Sequence, residues 1–155
     1  MDALSFRRAC GQFATGIVIA TAVGADGQPH GMTVNSFTSV SLDPPLVLIC
    51  VDKSTPLRAV FEQSGRYGLS VLAQDQRELS QRFAQRGHDR FQGVAWFPGS
   101  TGVPLLNGAL SHLECEIRNV FDAGDHVVLL GEAVRVEFHG GLPLLYFASG
   151  YREIA

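Results

Sequence analysis

Residues 31–45 read G-M-T-V-N-S-F-T-S-V-S-L-D-P-P, and the reading of this stretch decides the fold. Thr33, Asn35, Ser36, Thr38, Ser39 and Ser41 carry hydroxyl or amide side chains and Asp43 a carboxylate, set among Met32, Val34, Phe37, Val40 and Leu42. That mixture is too polar for an ordinary core strand and too apolar for a solvated loop. Short polar side chains bond nearby backbone and hold it in non-repetitive conformations, which leaves main-chain N–H groups free to meet a ligand. An edge strand running into a turn at Pro44-Pro45 explains the same letters, so this stretch leaves both readings open.

Working outward, residues 15–23 (T-G-I-V-I-A-T-A-V) form a β-branched run that ends at the hairpin signal Gly24-Ala25-Asp26-Gly27. The returning strand, 29–34, leads into the opening stretch. Beyond the prolines, 46–51 (L-V-L-I-C-V) is apolar on both faces, as in an interior wall strand. A helix opens at Asp52-Lys53-Ser54-Thr55-Pro56, with Ser54 or Thr55 as cap and Pro56 at the first helical position; Leu57, Val60 and Phe61 form its buried stripe and Gly65 ends it. A strand over 67–72 and a helix over 74–85, with Leu79 and Phe83 inward, follow. Residues 87–108 read as a long loop whose Phe91, Trp96, Phe97, Leu105 and Leu106 pack onto something.

In the last third, Leu113, Cys115 and Ile117 alternate with Glu114, Glu116 and Arg118, and Val134, Val136 and Phe138 with Arg135 and Glu137. With the turn Asp122-Ala123-Gly124-Asp125 between them, this predicts a long antiparallel hairpin with one wet face. Residues 144–147 form a final strand. At the other terminus, Phe6, Ala9, Cys10 and Phe13 recur at helical spacing and predict an amphipathic helix over 4–13. Six or seven hairpin-linked strands with two helices inserted mid-chain predict a mainly β fold, a small β-barrel and not an alternating βαβ sheet.

The 155 residues suit one domain, large enough to bury about two thirds of its unfolded surface. Charged residues are only 17% against 46% apolar, so a second copy of the chain is expected to cover some surface. A net charge of −3 without a Lys/Arg cluster gives no pull toward nucleic acid. No run approaches a membrane span and no signal peptide is read, so a cytoplasmic protein is expected. Cys10, Cys50 and Cys115 are odd in number and widely spaced, as for reduced thiols acting as small core residues. His30, His88, His112, His126 and His139 show no metal spacing, and His112-x-Glu114-x-Glu116 reads as a solvated strand face; no metal is expected.

Lys53, Ser54 and Thr55 beside a helix start are suited to an anion such as a phosphate, or are a plain cap with a surface lysine. His126, behind the Gly124-Asp125 turn, either bonds Asp125 to steady the turn or faces a second ligand. Tyr151 and Arg152 either join it there or pin the tail. Arg82-Phe83-Ala84 and Asp89-Arg90-Phe91 read as helix end and loop packing. There is no G-x-G-x-x-G, Walker loop or G-x-S-x-G elbow.

The motifs T-G-I-V-I-A-T, G-M-T-V-N-S-F-T-S-V-S-L-D-P-P-L-V, S-G-R-Y-G-L-S-V-L, L-S-Q-R-F-A, D-R-F-Q-G-V, P-L-L-N-G-A-L, G-D-H and P-L-L-Y-F-A-S-G-Y-R span nearly the whole chain. Together they resemble the flavin reductase-like family, and more narrowly the small reductase component of two-component flavin-dependent monooxygenases. The resemblance implies a homodimeric split β-barrel of the FMN-binding type over residues 1–155. It implies hydride transfer from NADH, or alternatively NADPH, to FMN or FAD, with reduced flavin passed to a partner monooxygenase. It places Thr33, Val34, Asn35 and Ser36 along the flavin ring, Cys50, Val51, Asp52, Lys53, Ser54 and Thr55 at the ribityl chain and phosphate, and Phe83, Ala84 and Arg90 at further flavin contacts. It assigns His126, as the catalytic-site histidine, with Tyr151 and Arg152 to the nicotinamide nucleotide. The alternative is a flavin-binding carrier of the same fold that uses no nicotinamide.

Overall fold

The computed structural model describes residues 1–87 and 89–155; His88, one of the five histidines above, lies outside the described residues. In chain order the elements are α1 (Ala3–Cys10), β1 (Thr15–Gly16), β2 (Val18–Val23), β3 (Pro29–Val34), β4 (Thr38–Ser41), β5 (Leu46–Asp52), α2 (Leu57–Ser64), β6 (Arg66–Val71) and α3 (Arg77–Ala84). There follow β7 (Trp96–Pro98), β8 (Pro104–Leu106), β9 (Ser111–Ala123), β10 (His126–Phe138), β11 (Leu145–Phe147) and β12 (Gly150–Arg152). The mainly β expectation holds.

Seven strands form one antiparallel sheet in the order β3-β2-β6-β9-β10-β5-β4. Its two outermost strands, β3 and β4, are separated in sequence by residues 35–37 alone. Four Cα steps reach at most roughly 14 Å, so the sheet has to roll until its ends are near each other. The Ser36 hydroxyl spans the seam to β5: it accepts from the Cys50 N–H at 2.9 Å and donates to the Cys50 carbonyl at 3.3 Å. The result is a barrel whose β3 edge has a ladder partner, β2, on one side only.

The rolled sheet encloses Val18, Ala20, Ala22, Val47, Ile49, Val51, Leu69, Val127 and Leu129, with Leu57 and Phe61 of α2 and the buried Tyr67 added. Phe61 and Tyr67 meet edge to face, 6.4 Å between centroids. Residues Ile17 and Ile19 point the other way, into a second cluster with Leu72, Phe83, Phe91, Leu106 and Leu144. β2 is therefore buried on both faces, which is why its sequence is an unbroken apolar run. Each fully buried Leu, Ile or Phe here contributes about 1.5–3 kcal/mol. Tyr67 also explains Gly131 on β10, because a Cβ there would stand 2.3 Å from the Tyr67 hydroxyl oxygen.

Several expectations are corrected. The run at 15–23 is broken, since β1 pairs with β11 while β2 pairs with β3 and β6. β5 buries Val47, Ile49 and Val51 but leaves Leu46, Leu48 and Cys50 half-exposed. The third helix starts at Arg77, later than 74. The loop expected over 87–108 holds the β7–β8 hairpin, paired Trp96↔Leu106, Phe97↔Leu105 and Pro98↔Pro104. The α1 stripe buries nothing within the chain: Leu4, Phe6 and Phe13 are exposed, and so is Cys10, which is not a core residue. Buried Cys115 does fit that description; burial pushes its thiol up to about 12.

The β9–β10 hairpin forms as expected, with Gly124 at φ +65° in its turn, where only glycine is unstrained. Its faces do not divide as the alternation predicts. Pairing with β6 stops at Glu116 and pairing with β5 stops at Glu132, so each strand outruns its second neighbour. Val120, Phe121, Val134, Val136 and Phe138 are consequently exposed. Conversely, His112 and Glu114, expected on the wet face, are buried. Serine and threonine of the β7–β8 turn bond the Glu114 carboxylate, and the Leu106 carbonyl of β8 bonds His112.

Candidate functional site

A cleft of about 860 Å³ opens where the unpaired edge of β3 faces the turn into α2. One wall is β3 from Pro29 to Thr33; the opposite wall is Asp52, Ser54, Thr55, Pro56 and Leu57; the end is closed by Phe83, Ala84, Arg86, Arg90, Phe91 and Trp96. An edge strand keeps half of its backbone groups outside the ladder, so this wall offers main-chain donors and acceptors to whatever enters.

The α2 wall differs in detail from the cap predicted. The helix starts at Leu57 with Pro56 before it, and no side chain caps it in the usual way. Instead Asp52 organises the turn: its carboxylate accepts from the N–H and the hydroxyl of Ser54, both at 2.7 Å. These bonds hold the Asp52 carboxyl below its usual range, with smaller help from His126 and Arg86. The Thr55 hydroxyl accepts from the Leu57 N–H at 3.3 Å. Lys53 turns away from the cleft. Its ammonium pairs with Asp122 and its N–H donates to the Asp125 carbonyl at 2.9 Å, tying this turn to the tip of the β9–β10 hairpin.

The end wall is held by two arginines. Arg82 of α3 donates to the carbonyls of Arg90 (2.6 Å), Asp89 (3.3 Å) and Gln92, gathering the segment after the helix. Arg90 then reaches across to the Gly31 carbonyl of β3 at 2.7 Å. Burial lowers the Arg90 pKa, yet a guanidinium remains charged at any ordinary pH. Phe91 packs edge to face on Phe83 (5.0 Å) and on Trp96 (5.7 Å). Behind this wall a Cβ on Gly31 would stand 3.0 Å from the Phe83 ring and 3.2 Å from the Ala20 carbonyl, so β3 and α3 meet at a glycine.

Of the residues singled out in the sequence, Thr33, Asp52, Ser54, Thr55, Phe83, Ala84 and Arg90 line the cleft. Val34 is buried in the barrel core, Asn35 is exposed on the seam, and Ser36, Cys50 and Val51 stand behind the cleft on the seam and β5. His126 lies opposite Asp52 across the β5–β10 ladder, its Nδ1 2.7 Å from an Asp125 carboxylate oxygen. Tyr151 sits on a different sheet, and its hydroxyl meets the Ser80 hydroxyl at 2.8 Å. The Ser80 carbonyl in turn accepts from the Thr33 hydroxyl at 2.6 Å, so Tyr151 reaches the cleft wall through Ser80. The Arg77 guanidinium stands 4.9 Å over the Tyr151 ring. Arg152 is exposed and folds onto Phe147 and the Tyr151 carbonyl. Sequence reasoning missed His30, Gly31, Met32, Arg86 and Trp96 as cleft residues; only the bulk of Phe91 and Trp96 in a loop signalled packing.

The profile of the flavin reductase like domain matches residues 10–155. The chain is 39% identical over 155 residues to the flavin-dependent monooxygenase reductase subunit HsaB of Rhodococcus jostii, covering 99% of this chain and 79% of that protein. It is 42% identical over 147 residues to the FMN reductase (NADH) SmoA of Agrobacterium fabrum, covering 95% and 83%. A further relative, from Rhizobium meliloti, is 41% identical, and the chain spans only 48% of its length. Among solved structures, the Streptomyces globisporus NADH:FAD oxidoreductase SgcE6, in complex with NAD and FAD fragments, superposes with a TM-score of 0.94 at 38% identity, covering 99% and 93%.

Proposed function

The chain belongs to the flavin reductase like domain family, and from that membership we propose that it is an NADH-dependent flavin reductase acting on FMN or FAD. Residues 1–155 act as one domain; the name of the SmoA relative supports NADH and FMN as the reactants, and that of the HsaB relative supports a separate monooxygenase as the receiver of reduced flavin. The observation that carries this reading is the cleft itself. Its volume lies within the range of small-molecule sites, and an open strand edge faces a hydroxyl-bearing helix start across it.

These residues fit a flavin nucleotide. The edge of β3 at Thr33, with exposed Asn35 beyond it, presents the polar backbone and side chains that a heterocycle with carbonyls and ring nitrogens requires, while Ser36 braces the seam through Cys50. The Ser54 and Thr55 hydroxyls and the Ser54 N–H are the donors for its phosphate. Asp52 holds two of these three, so phosphate binding competes with that carboxylate. Lys53, paired with Asp122 outside the cleft, adds only its charge near this turn, and Phe83, Ala84 and Arg90 close the end wall. A bound flavin supplies the hydride acceptor, and the protein's task is to position the two partners. His126 orients the nicotinamide beside Asp52, and Tyr151 and Arg152 steady the same ligand from β12. No side chain is required as acid or base in the hydride step.

A second copy of the chain completes the functional unit. Exposed Leu4 and Phe6 on α1, exposed Phe13 just after it, and exposed Val134, Val136 and Phe138 on β10 are the apolar groups that dimerisation would cover. Three unpaired cysteines suit a cytoplasmic setting, and no helix among the described residues is long and apolar enough to cross a membrane. The deciding experiment mixes the protein with FMN or FAD and with NADH or NADPH, and follows the nicotinamide absorbance band. Flavin-dependent loss of that band is expected, faster with NADH. No turnover with any of the four combinations overturns the reading in favour of a flavin carrier.

A further inference from the structure

We propose that His112, His139 and Glu137 form a binding site for a divalent transition-metal cation of the zinc type at the base of the β9–β10 hairpin. The site stands apart from the cleft and shares no residue with it.

Backbone register puts the three side chains on one face. Glu137 is the direct cross-strand partner of His112, so their side chains share a face of the ladder. His139 lies two residues beyond Glu137, on the same side, and its N–H donates to the Leu110 carbonyl at 2.8 Å, which holds it against the start of β9. Val136 and Phe138 point to the opposite face. The three donor atoms all lie within 4.8 Å of one another.

The orientation of His112 is the stronger observation. This ring is buried, with its Nε2 2.7 Å from the Leu106 carbonyl oxygen. A carbonyl only accepts, so in the neutral ring the proton sits on Nε2 and the Nδ1 lone pair is free. That lone pair faces His139 Nε2 at 3.1 Å. A metal-binding histidine is typically fixed by donating its other N–H to a carbonyl or carboxylate. Two imidazole nitrogens on one tetrahedral zinc, each about 2.0–2.1 Å from it, stand about 3.3 Å apart. The spacing in this chain therefore needs only a small adjustment, with the metal in place of the proton between the rings.

Glu137 supplies the third donor. Its Oε2 is 3.9 Å from His139 Nε2, while Oε1 faces Arg135 at 3.9 Å, which leaves one oxygen for the metal. His139 and Glu137 are each 47% exposed on their side chains, so an ion has a path in and water can fill a fourth position. Two imidazoles and one carboxylate suit zinc, cobalt or nickel better than magnesium or calcium, which prefer all-oxygen sets. The bound ion would join the hairpin base, through His112 and Leu106, to strand β8.

The test is a titration of the chelator-treated full chain with ZnCl₂ and, separately, CoCl₂. Calorimetry should give one equivalent of Zn²⁺, and Co²⁺ should develop the strong visible absorption of a tetrahedral site. His139→Ala should weaken Zn²⁺ binding by ~100-fold and Glu137→Gln by ~10-fold, losses no smaller than those that follow removal of an outer-shell partner. Both residues are exposed, so both variants should fold, as circular dichroism would check. Zn²⁺ should also raise the melting temperature of the wild type and not of His139→Ala. Wild-type binding no tighter than that of the doubly substituted His139→Ala/Glu137→Gln chain overturns the proposal and leaves a histidine–histidine hydrogen bond.

Discussion

Replacing Glu114 with glutamine tests whether a single carboxylate holds the β7–β8 hairpin against the barrel. Glu114 is 3% exposed and accepts four hydrogen bonds: from the N–H and hydroxyl of Ser100 at 3.1 and 3.2 Å, and from the N–H and hydroxyl of Thr101 at 2.7 and 2.5 Å. The chain passes so near that a Cβ on Gly99 would stand 2.5 Å from the carboxylate carbon. In Glu114→Gln the amide oxygen still accepts from one residue, but the NH₂ group faces two donors. Hydrogen bonds to a charged group are worth about 1.5–3 kcal/mol each. Two are lost, giving about 3–6 kcal/mol; because Ser100 is exposed and can turn to water, about 3 kcal/mol is the figure to expect. For a chain of this length that lowers Tm by roughly 6–12 °C.

The pH dependence sharpens the test. Burial pushes the Glu114 carboxyl up, but the four hydrogen bonds together outweigh it and hold the pKa below its ordinary 4.5. A group depressed in the folded state contributes stability above its unfolded pKa and loses it as pH falls through the folded one. The Tm gap between wild type and Glu114→Gln should therefore be full at neutral pH and shrink below about pH 4.5. Trp96, the sole tryptophan, lies on β7, so its fluorescence reports hairpin detachment directly while circular dichroism reports the barrel. Equal melting at pH 7, or a gap that stays constant into acid, refutes the reasoning.

Three further outcomes follow from named contacts. Gly131→Ala would place a methyl 2.3 Å from the Tyr67 hydroxyl and should cost about 2–3 kcal/mol in urea unfolding, with part regained in Gly131→Ala/Tyr67→Phe; no rescue by the second change would show that Tyr67 is not the obstacle. Arg82→Ala should free the carbonyls of residues 89, 90 and 92 and weaken FMN binding, measured by quenching of flavin fluorescence, at least ~10-fold, whereas unchanged binding would mean that Phe91 packing alone sets the end wall. His126→Ala should raise the KM for NADH more than it lowers kcat; a collapse of kcat at saturating NADH would make His126 a participant in the chemistry.

What the letters revealed and what they hid divide along sequence separation. The hairpin turn at Gly124, the left-handed stop at Gly65 and the strand before residues 35–37 are local, set by glycine φ and by the hairpin signal at 24–27, and all were legible, whereas β4 lay in the stretch whose reading stayed open. Thr33 and the Ser54-Thr55 turn were legible as candidates for the same reason, since hydroxyls next to a strand end or helix start stand beside unpaired backbone groups. Arg90 was suggested by family resemblance, but its contact with Gly31, 59 residues away, has no local signature. The β7–β8 hairpin was hidden too, because its three-residue strands include Pro98 and Pro104 and nothing nearby alternates.

That one omission produced the others. Leu113, Cys115 and Ile117 alternate with polar residues, so His112 and Glu114 read as a wet face. Once β8 lies over the start of β9, the same face is dry, and each buried polar group must find a partner. Glu114 finds the serine and threonine of the covering turn; His112 finds the Leu106 carbonyl on one nitrogen and His139 on the other. Alternation fixes which residues share a face, and only the segment that later covers that face decides whether its polar groups are solvated, structural or ligands. The histidine pair, 27 residues apart in sequence and 3.1 Å apart in space, follows from that covering as directly as the buried carboxylate does.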